Sequence, residues 1–391
     1  MSKYIDEYNK EFQKSKNIIV NKKVSIIGIP LSEGQELEGV HLACDDLRRL
    51  GLYDVIKSVG WDYEDVGDVK IEKKKNHSDG KLLLNGNLHK NTLNGNIQEN
   101  TNINGDLHTN HEQNSDLHKN HDKNKCVEDE KNDIYYNNIK NVEVIGKSSE
   151  NIFKQCDKEL KKKNFVLNIG GDHSIAFATI LSSVHNYENL KLVWIDAHGD
   201  INVPETSPSM NYHGMPLAHA LNLFKKRVPG FEWSEKLKYL KPENVALIGI
   251  RDIDEYEKII IKKSKINYYS MFDIDMHGMY NVCKDALEKI DPDNNSPIHV
   301  SLDIDSIDVL YAPATGTLAK GGLTYREIHL LLKMLADTKR VVCMDLVEYN
   351  PLIDVKDKKL HCDSLPIRAD ATVTGKLCLE MIARILGNNI T

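Results

Sequence analysis

Six short runs dominated by apolar, largely β-branched residues recur along the chain: 22–30 (KKVSIIGIP), 165–171 (FVLNIGG), 190–196 (LKLVWID), 244–250 (NVALIGI), and the hearts of 296–305 and 338–350. A half-exposed strand alternates apolar and polar residues, whereas runs this uniformly apolar belong to strands covered on both faces. Helical patterns fall between them, at 41–52 (HLACDDLRRLGL), 172–185 (DHSIAFATILSSVH) and 325–336 (YREIHLLLKMLA). Strands buried on both sides and alternating with helices predict an α/β fold: three α/β/α layers around a central, mainly parallel sheet. The runs span most of the 391 residues without an evident boundary, so a single catalytic-size domain over 1–391 is expected.

Polar residues cluster where these runs stop. One strand ends in Gly171-Asp172-His173, a second in Asp196, His198 and Asp200, a third in Asp303 and Asp305, and a fourth in Asp345 and Glu348. The crevice of an open α/β sheet lies at the carboxyl ends of its strands, so all four deliver carboxylates or imidazoles to one edge. In an extended chain, residues i, i+2 and i+4 share a face. Alternation therefore predicts that Asp196, His198 and Asp200 converge, as do Asp303 and Asp305. With His173 this makes four carboxylates and two imidazoles, a set that repels itself and is poorly solvated without a cation. Carboxylate-rich, thiolate-free ligation favours a hard or borderline divalent ion, Mn²⁺ ahead of Zn²⁺. Six ligands exceed what one catalytic ion with open positions needs and suit two ions about 3.5–4 Å apart sharing carboxylates. A lone Asp or His after a strand is ordinarily a helix cap, and Asp172 reads as one. Three such clusters after three buried strands do not reduce to capping.

Composition changes sharply between residues 72 and 145, where short Asn-, Lys- and His-rich repeats such as LNGNLHKNT and LNGNIQENT follow one another. One Leu or Ile per repeat cannot offset an ordering entropy of about 1–2 kcal/mol per residue. This stretch is therefore expected to be a disordered, low-complexity insertion in a surface loop, with its His-x-x-His pairs at 108–111 and 118–121 binding metal weakly or not at all. The net charge of -7 supplies no basic footprint for nucleic acid, and no apolar run is long enough to span a bilayer. The first residues carry acids, no arginine and no apolar core, unlike a secretory or mitochondrial leader. Seven scattered cysteines without a Cys-x-x-Cys pair fit a reducing compartment. A cytoplasmic enzyme is expected.

Three segments, GGDHS (170–174), DAHGDIN (196–202) and SLDIDSID (301–308) followed by PATGT (313–317) and Gly321-Gly322, resemble the signatures of the ureohydrolases. The likeness covers about 22–70 and 145–385, and it implies an arginase/deacetylase-like fold. Within that family the segment DINVPETSPSMNYHGMP (200–216) is most similar to arginases, and Asn-rich repeats inside such an enzyme resemble the arginases of malaria parasites. The resemblance implies two Mn²⁺ per subunit. One would take His173, Asp196, Asp200 and Asp303; the other would take His198, Asp196, Asp303 and Asp305. It places Asn202 and Ser209 on the substrate's α-carboxylate and Asp254 on its α-amino group. Glu348 and Thr317 fall near the guanidinium, His213 serves as a proton shuttle, and Ser207, Asn211 and Glu257 fall at secondary contacts. It also implies a homotrimer. Asp308-Val309 and Thr317-Leu318 depart from the Asp-Pro and Thr-Pro usual in the family, and ACDDLRRLGL (43–52) replaces a usual Gly-Pro. These are loop and turn positions, not ligands.

The chemistry so implied is hydrolysis of L-arginine to L-ornithine and urea. A guanidinium is a poor electrophile, and two metal ions sharing a water make hydroxide available near neutral pH. Asp200 would accept the proton and pass it to the leaving amine. Alternatives remain at this level: an agmatinase or guanidinobutyrase, a mononuclear zinc amidohydrolase of the deacetylase type, or a metal-dependent binding protein without turnover.

Overall fold

The computed structural model describes residues 18–19, 21–73, 135–356 and 365–388. Eight strands form one sheet: β1 (Lys23–Ile29), β2 (Asp62–Asp68), β3 (Phe165–Gly170), β4 (Lys191–Ile195), β5 (Val245–Ile250), β6 (Asn267–Ser270), β7 (Ile298–Asp303) and β8 (Val341–Val347). Their order is β2-β1-β3-β8-β7-β4-β5-β6, and every pairing is parallel. The helices are α1 (Ala43–Leu50), α2 (Leu52–Ser58), α3 (Val142–Leu160), α4 (Ala176–Asn186), α5 (Pro216–Ala220), α6 (Glu255–Lys263), α7 (Met271–Ile290), α8 (Tyr325–Asp337) and α9 (Val373–Ile385). One group packs α3 on α4 and α4 on α5; another links α7 to α8, α8 to α9, and α9 to α1 and α2. Between them β3, β4, β5, β7 and β8 are buried at every residue. This is the covering on both faces that their apolar composition requires.

All six predicted strand runs are strands. The two that sequence reading missed, β2 and β6, are the two edges of the sheet. An edge strand has one side open to water and tolerates polar residues. Accordingly β2 reads DYEDVGD and β6 only NYYS. The acidic edge is held by Arg48 of α1, which donates to Asp65 at 2.8 Å and to Asp68 at 2.6 Å. The helix expected over 41–52 is α1, which stops at Leu50 before α2 begins at Leu52, because Gly51 takes the left-handed φ of 114°. A Cβ there would stand 2.9 Å from the Pro366 carbonyl oxygen, so glycine is needed at this close approach.

The insertion expected over 72–145 falls largely on 74–134, outside the described residues, together with its histidine pairs. Its expected end is too late. Tyr135 already pairs with Arg227, Tyr136 is buried, and α3 begins at Val142. The Asn and Lys of 135–141 conceal this, although Tyr136 and Ile139 are buried in the core and hydrogen bonds anchor the rest.

Candidate metal centre and substrate cleft

Four adjacent central strands, β3, β8, β7 and β4, carry the site at their carboxyl ends. His173 follows β3 in a short 3-10 turn, Asp303 is the last residue of β7, and Asp196 follows the last residue of β4. His173 Nδ1 lies 3.2 Å from Asp196 Oδ2, 3.0 Å from Asp200 Oδ2 and 3.2 Å from Asp303 Oδ2. His198 Nδ1 lies 3.4 Å from Asp196 Oδ1 and 3.1 Å from Asp305 Oδ2. Two ligand sets thus meet at Asp196.

The predicted convergence is present, but alternation along an extended strand does not produce it. β4 stops at Ile195, before the first of the three candidate ligands, and Asp305 sits in a 3-10 turn. A repeated local turn does the work instead. Asp196 Oδ1 accepts the His198 N–H at 2.7 Å, Asp303 Oδ1 accepts the Asp305 N–H at 2.8 Å, and Asp172 Oδ1 accepts the Ser174 N–H at 2.9 Å. An Asp side chain that bonds the backbone two residues on closes an Asx turn. In Asp196 and Asp303 it fixes one carboxylate oxygen and leaves the other facing His173, whereas the second oxygen of Asp172 accepts the Gly34 N–H at 2.8 Å. Asp200 completes the curl in the left-handed region, with φ 45°, and Glu348 after β8 does the same with φ 63°. Such a φ costs a side-chain-bearing residue about 1–2 kcal/mol and persists where the surroundings dictate it.

Burial and crowding set the charges. Burial, with Asp305 and Asp196 beside it, holds the Asp303 carboxyl well above its ordinary range. Burial and Asp196 push Asp200 up to about 6. Burial also acts on Asp196, yet the His173 and His198 imidazoles outweigh it and hold this carboxyl below its ordinary range. Burial opposes charge on both imidazoles. The carboxylates around them prevail and raise His173 and His198 above the usual histidine range. The groups compete for protons that a divalent cation would displace. His173 Nδ1 supplies the clearest test of fit: fully buried, it makes no hydrogen bond and points among three carboxylate oxygens. Its other ring nitrogen is committed, at 2.9 Å from Ser301 Oγ. An imidazole oriented by one nitrogen and open at the other is a metal ligand's posture.

A cleft of about 150 Å³ opens onto this cluster. It is lined by His198, Asp200, Asp303 and Asp305 from the candidate metal set, and by Asn202, Ser207, Ser209, His213, Asp254, Glu257 and Thr317. Asn211 does not line it; its carbonyl accepts the Gly214 N–H at 3.4 Å and its N–H reaches Ser209 Oγ at 3.2 Å. Glu348 is buried below, accepting the His173 N–H at 2.9 Å and facing His213 Nδ1 at 3.1 Å. That hydrogen bond raises His213 to about 9 against the effect of burial. Asp254 and Glu257 also form the capping box of α6, and Asp254 Oδ2 accepts from Asn202 Nδ2 at 2.8 Å. Burial and the Asp200 charge push Glu257 up to about 7. The Thr317 hydroxyl donates to Asp305 Oδ2 at 2.8 Å.

Residues 22–363 match the model of the arginase family. The chain belongs to the arginase family. It is 60% identical over 390 residues to the arginase of Plasmodium berghei (strain Anka), covering all of both chains. It is 57% identical to that of Plasmodium falciparum (isolate 3D7), covering 99% of each. Among solved structures, the arginase of Bacillus caldovelox superposes with a TM-score of 0.71 at 29% identity, over 94% of this chain and 99% of the other. The Entamoeba histolytica arginase in complex with L-ornithine gives 0.69 at 25% identity, over 95% and 99%.

Several residues of this arginase-family site escaped sequence reading. Trp194 stacks on His173 with ring centroids 4.0 Å apart, and its Nε1–H donates to Asp196 Oδ2 at 3.0 Å. Asp252 Oδ2 lies 4.0 Å from His198 Nε2. Arg251 donates to the carbonyls of Asp305 at 2.6 Å, Ser306 at 3.1 Å and Ala319 at 2.8 Å, holding the loop that carries Thr317. Trp194 stands two residues before a ligand, a placement that could have been noticed. Arg251 and Asp252 precede Asp254 in the segment RDID (251–254), which resembles the family's, but nothing in the sequence marks what they touch. Asp345, expected at the strand end, lies inside β8 and out of the cleft. It accepts from Asn168 Nδ2 at 2.7 Å and Thr179 Oγ1 at 2.7 Å, and lies 2.9 Å from His299 Nε2 and 3.4 Å from Ser301 Oγ. The cluster of His299, Cys343 and Asp345 is thus a satisfied buried network beneath His173.

Proposed function

We propose that this site hydrolyses L-arginine to L-ornithine and urea with two Mn²⁺ per subunit, held by His173, Asp196, Asp200, His198, Asp303 and Asp305. The observation that carries the reading is the cleft itself, lined both by candidate metal ligands and by Asn202, Ser209 and Asp254. Four aspartates and two histidines with no thiolate favour Mn²⁺. Bound metal would supply one thing, a water acidified enough to furnish hydroxide near neutral pH.

The chain's own groups do the rest. Asn202 and Ser209 receive the α-carboxylate and Asp254 the α-amino group, fixing the long substrate at its far end. Glu348 orients the guanidinium, an effect that is worth several kcal/mol when the reacting atoms are held in line. Asp200 takes the proton released on attack and returns it to the leaving amine. His213, in the cleft wall and bonded to Glu348, exchanges protons with solvent. Thr317, Ser207 and Glu257 shape the wall, and Asn211 acts through the loop it terminates. The resemblance extends to a homotrimer. A cytoplasmic location is supported by cysteines that, among the described residues, are free and buried.

Urea release from L-arginine and from agmatine, measured side by side, tests the reading. Agmatine lacks the α-carboxylate, so arginine is expected to be preferred strongly. Asn202→Ala and Ser209→Ala should each lose about 10- to 100-fold in kcat/KM for arginine, the worth of a hydrogen bond to a charged group. Equal rates on the two substrates in the wild type would contradict the carboxylate contacts.

A further inference from the structure

The segment 203–211, which brings Ser207 and Ser209 to the cleft, is bonded more heavily to residues 136–140 than its own turns require. The Tyr136 hydroxyl donates to Glu205 Oε1 at 2.9 Å. Asn138 Nδ2 donates to the Pro204 carbonyl at 3.2 Å and to Met210 Sδ at 3.4 Å. The Lys140 N–H donates to the Met210 carbonyl at 3.0 Å. Met210 itself sits at φ 59°, the left-handed region, directly after Ser209 of the cleft wall. The far end of the same strap reaches the loop after β1. Lys140 Nζ donates to Glu36 Oε1 at 2.5 Å and Asn141 Nδ2 to the Glu33 carbonyl at 2.8 Å. That loop in turn accepts the His213 N–H through Gly34 at 3.2 Å.

Tyr136 is anchored on its other side as well. Its oxygen accepts the N–H groups of Lys225 at 3.0 Å and Lys226 at 3.3 Å, and its ring meets Phe224 edge-on at 5.7 Å. The phenol is buried and fully engaged, so it is a fixed post for the Glu205 carboxylate and not a surface contact. A left-handed non-glycine residue keeps its conformation only where several bonds dictate it. The bonds from Asn138 and Lys140 to Met210 and its neighbours do so.

We infer that residues 136–140 form a strap that holds the 203–211 loop in its carboxylate-binding shape, with Tyr136 and Asn138 as positioning residues for substrate recognition. The inference rests on the reading that this loop receives the α-carboxylate of an amino-acid guanidine. Within the strap, Tyr136 and Asn138 bond the 203–211 loop and touch neither the metal set, Glu348 nor His213, so these two act on binding and leave the chemical step alone. This separates it from a general structural role, which would lower metal content, kcat and affinity together.

The test uses the full chain loaded with Mn²⁺ and the variants Tyr136→Phe, which keeps the ring, and Asn138→Ala, at an exposed position. KM for L-arginine should rise about five- to tenfold in each, because Asn138→Ala deletes the bonds to the Pro204 carbonyl and Met210 Sδ, and Tyr136→Phe those to Glu205 and the Lys225 and Lys226 N–H groups. The kcat should stay within about twofold, and two Mn²⁺ should remain bound. Inhibition by guanidinium ion, which carries no carboxylate, should be unchanged. Amide hydrogen exchange over 203–211 should quicken in both variants. Wild-type KM and wild-type exchange would overturn the proposal, and so would a parallel weakening of guanidinium inhibition. Failure of the underlying reading has a different mark: wild-type protein that releases urea from agmatine as readily as from arginine. Should Tyr136→Phe fold poorly, Asn138→Ala decides the matter alone.

Discussion

Asp303→Ala is expected to lose both metal ions and all but a trace of urea production. Asp303 is the last residue of β7, with one oxygen committed to the Asp305 N–H and the other 3.2 Å from His173 Nδ1. On the proposed assignment, removing it deletes a ligand beside His173 and also frees the turn that aims Asp305. Metal-supplied stabilisation is worth several kcal/mol, and each 1.36 kcal/mol is about tenfold in rate. Turnover should fall at least about a thousandfold. Asp303→Asn separates the two roles, because an amide oxygen can still close the turn while the negative charge is gone. That variant should fold with the turn intact and still bind metal weakly. Metal content by atomic absorption beside urea release reads both outcomes. Full activity with two ions bound in Asp303→Ala would dismiss the ligand assignment.

Glu348→Gln should retain metal and lose turnover about 100- to 1000-fold. The carboxylate lies outside both ligand sets, so metal stoichiometry is expected to stay at the wild-type value. Its loss removes the charge that would hold the guanidinium in line, and orientation of this kind carries several kcal/mol of the barrier. A second effect reports on the same group. The Glu348 hydrogen bond is the main influence raising His213 to about 9. Without that negative charge the imidazolium is less favoured, so the His213 pKa falls. The limb of the pH–rate profile governed by His213 should move to lower pH, and histidine resonances followed by NMR should show the same displacement. A lowered rate with an unmoved profile would mean that Glu348 acts on substrate alone. An unchanged rate would remove it from the machinery.

Much of this was legible in one dimension, for identifiable reasons. Uniform apolarity marked the six interior strands because both of their faces are covered, and polar residues marked the strand ends because the crevice lies there. β2 and β6 were illegible because edge strands need not be apolar, and Arg48 compensates the acidic one from a distance in sequence. The structure brings the candidate ligands together, but not by the strand alternation that their spacing suggests. The Asx turns of Asp196 and Asp303 show that spacing of two can reflect a carboxylate bonding the backbone two residues on. Residues 135–141 (YYNNIKN) share the Asn and Lys of the polar repeats before them, and only the two tyrosines, absent from 74–134, set them apart. Their place over the 203–211 loop is visible only in hydrogen bonds between residues some 70 positions apart. The left-handed φ of Asp200 and Glu348 likewise has no sequence mark, since neither is glycine.

Titration of Mn²⁺ into metal-depleted protein, with urea release from L-arginine followed at each step, tests the central claim most directly. The Asp196 carboxylate faces both halves of the cluster, Oδ2 toward His173 and Oδ1 toward His198, so the site should function as a pair. Activity is expected to appear with the second ion and to level off at two per chain. Full activity at one ion per chain, or saturation with metal and no urea, would contradict it.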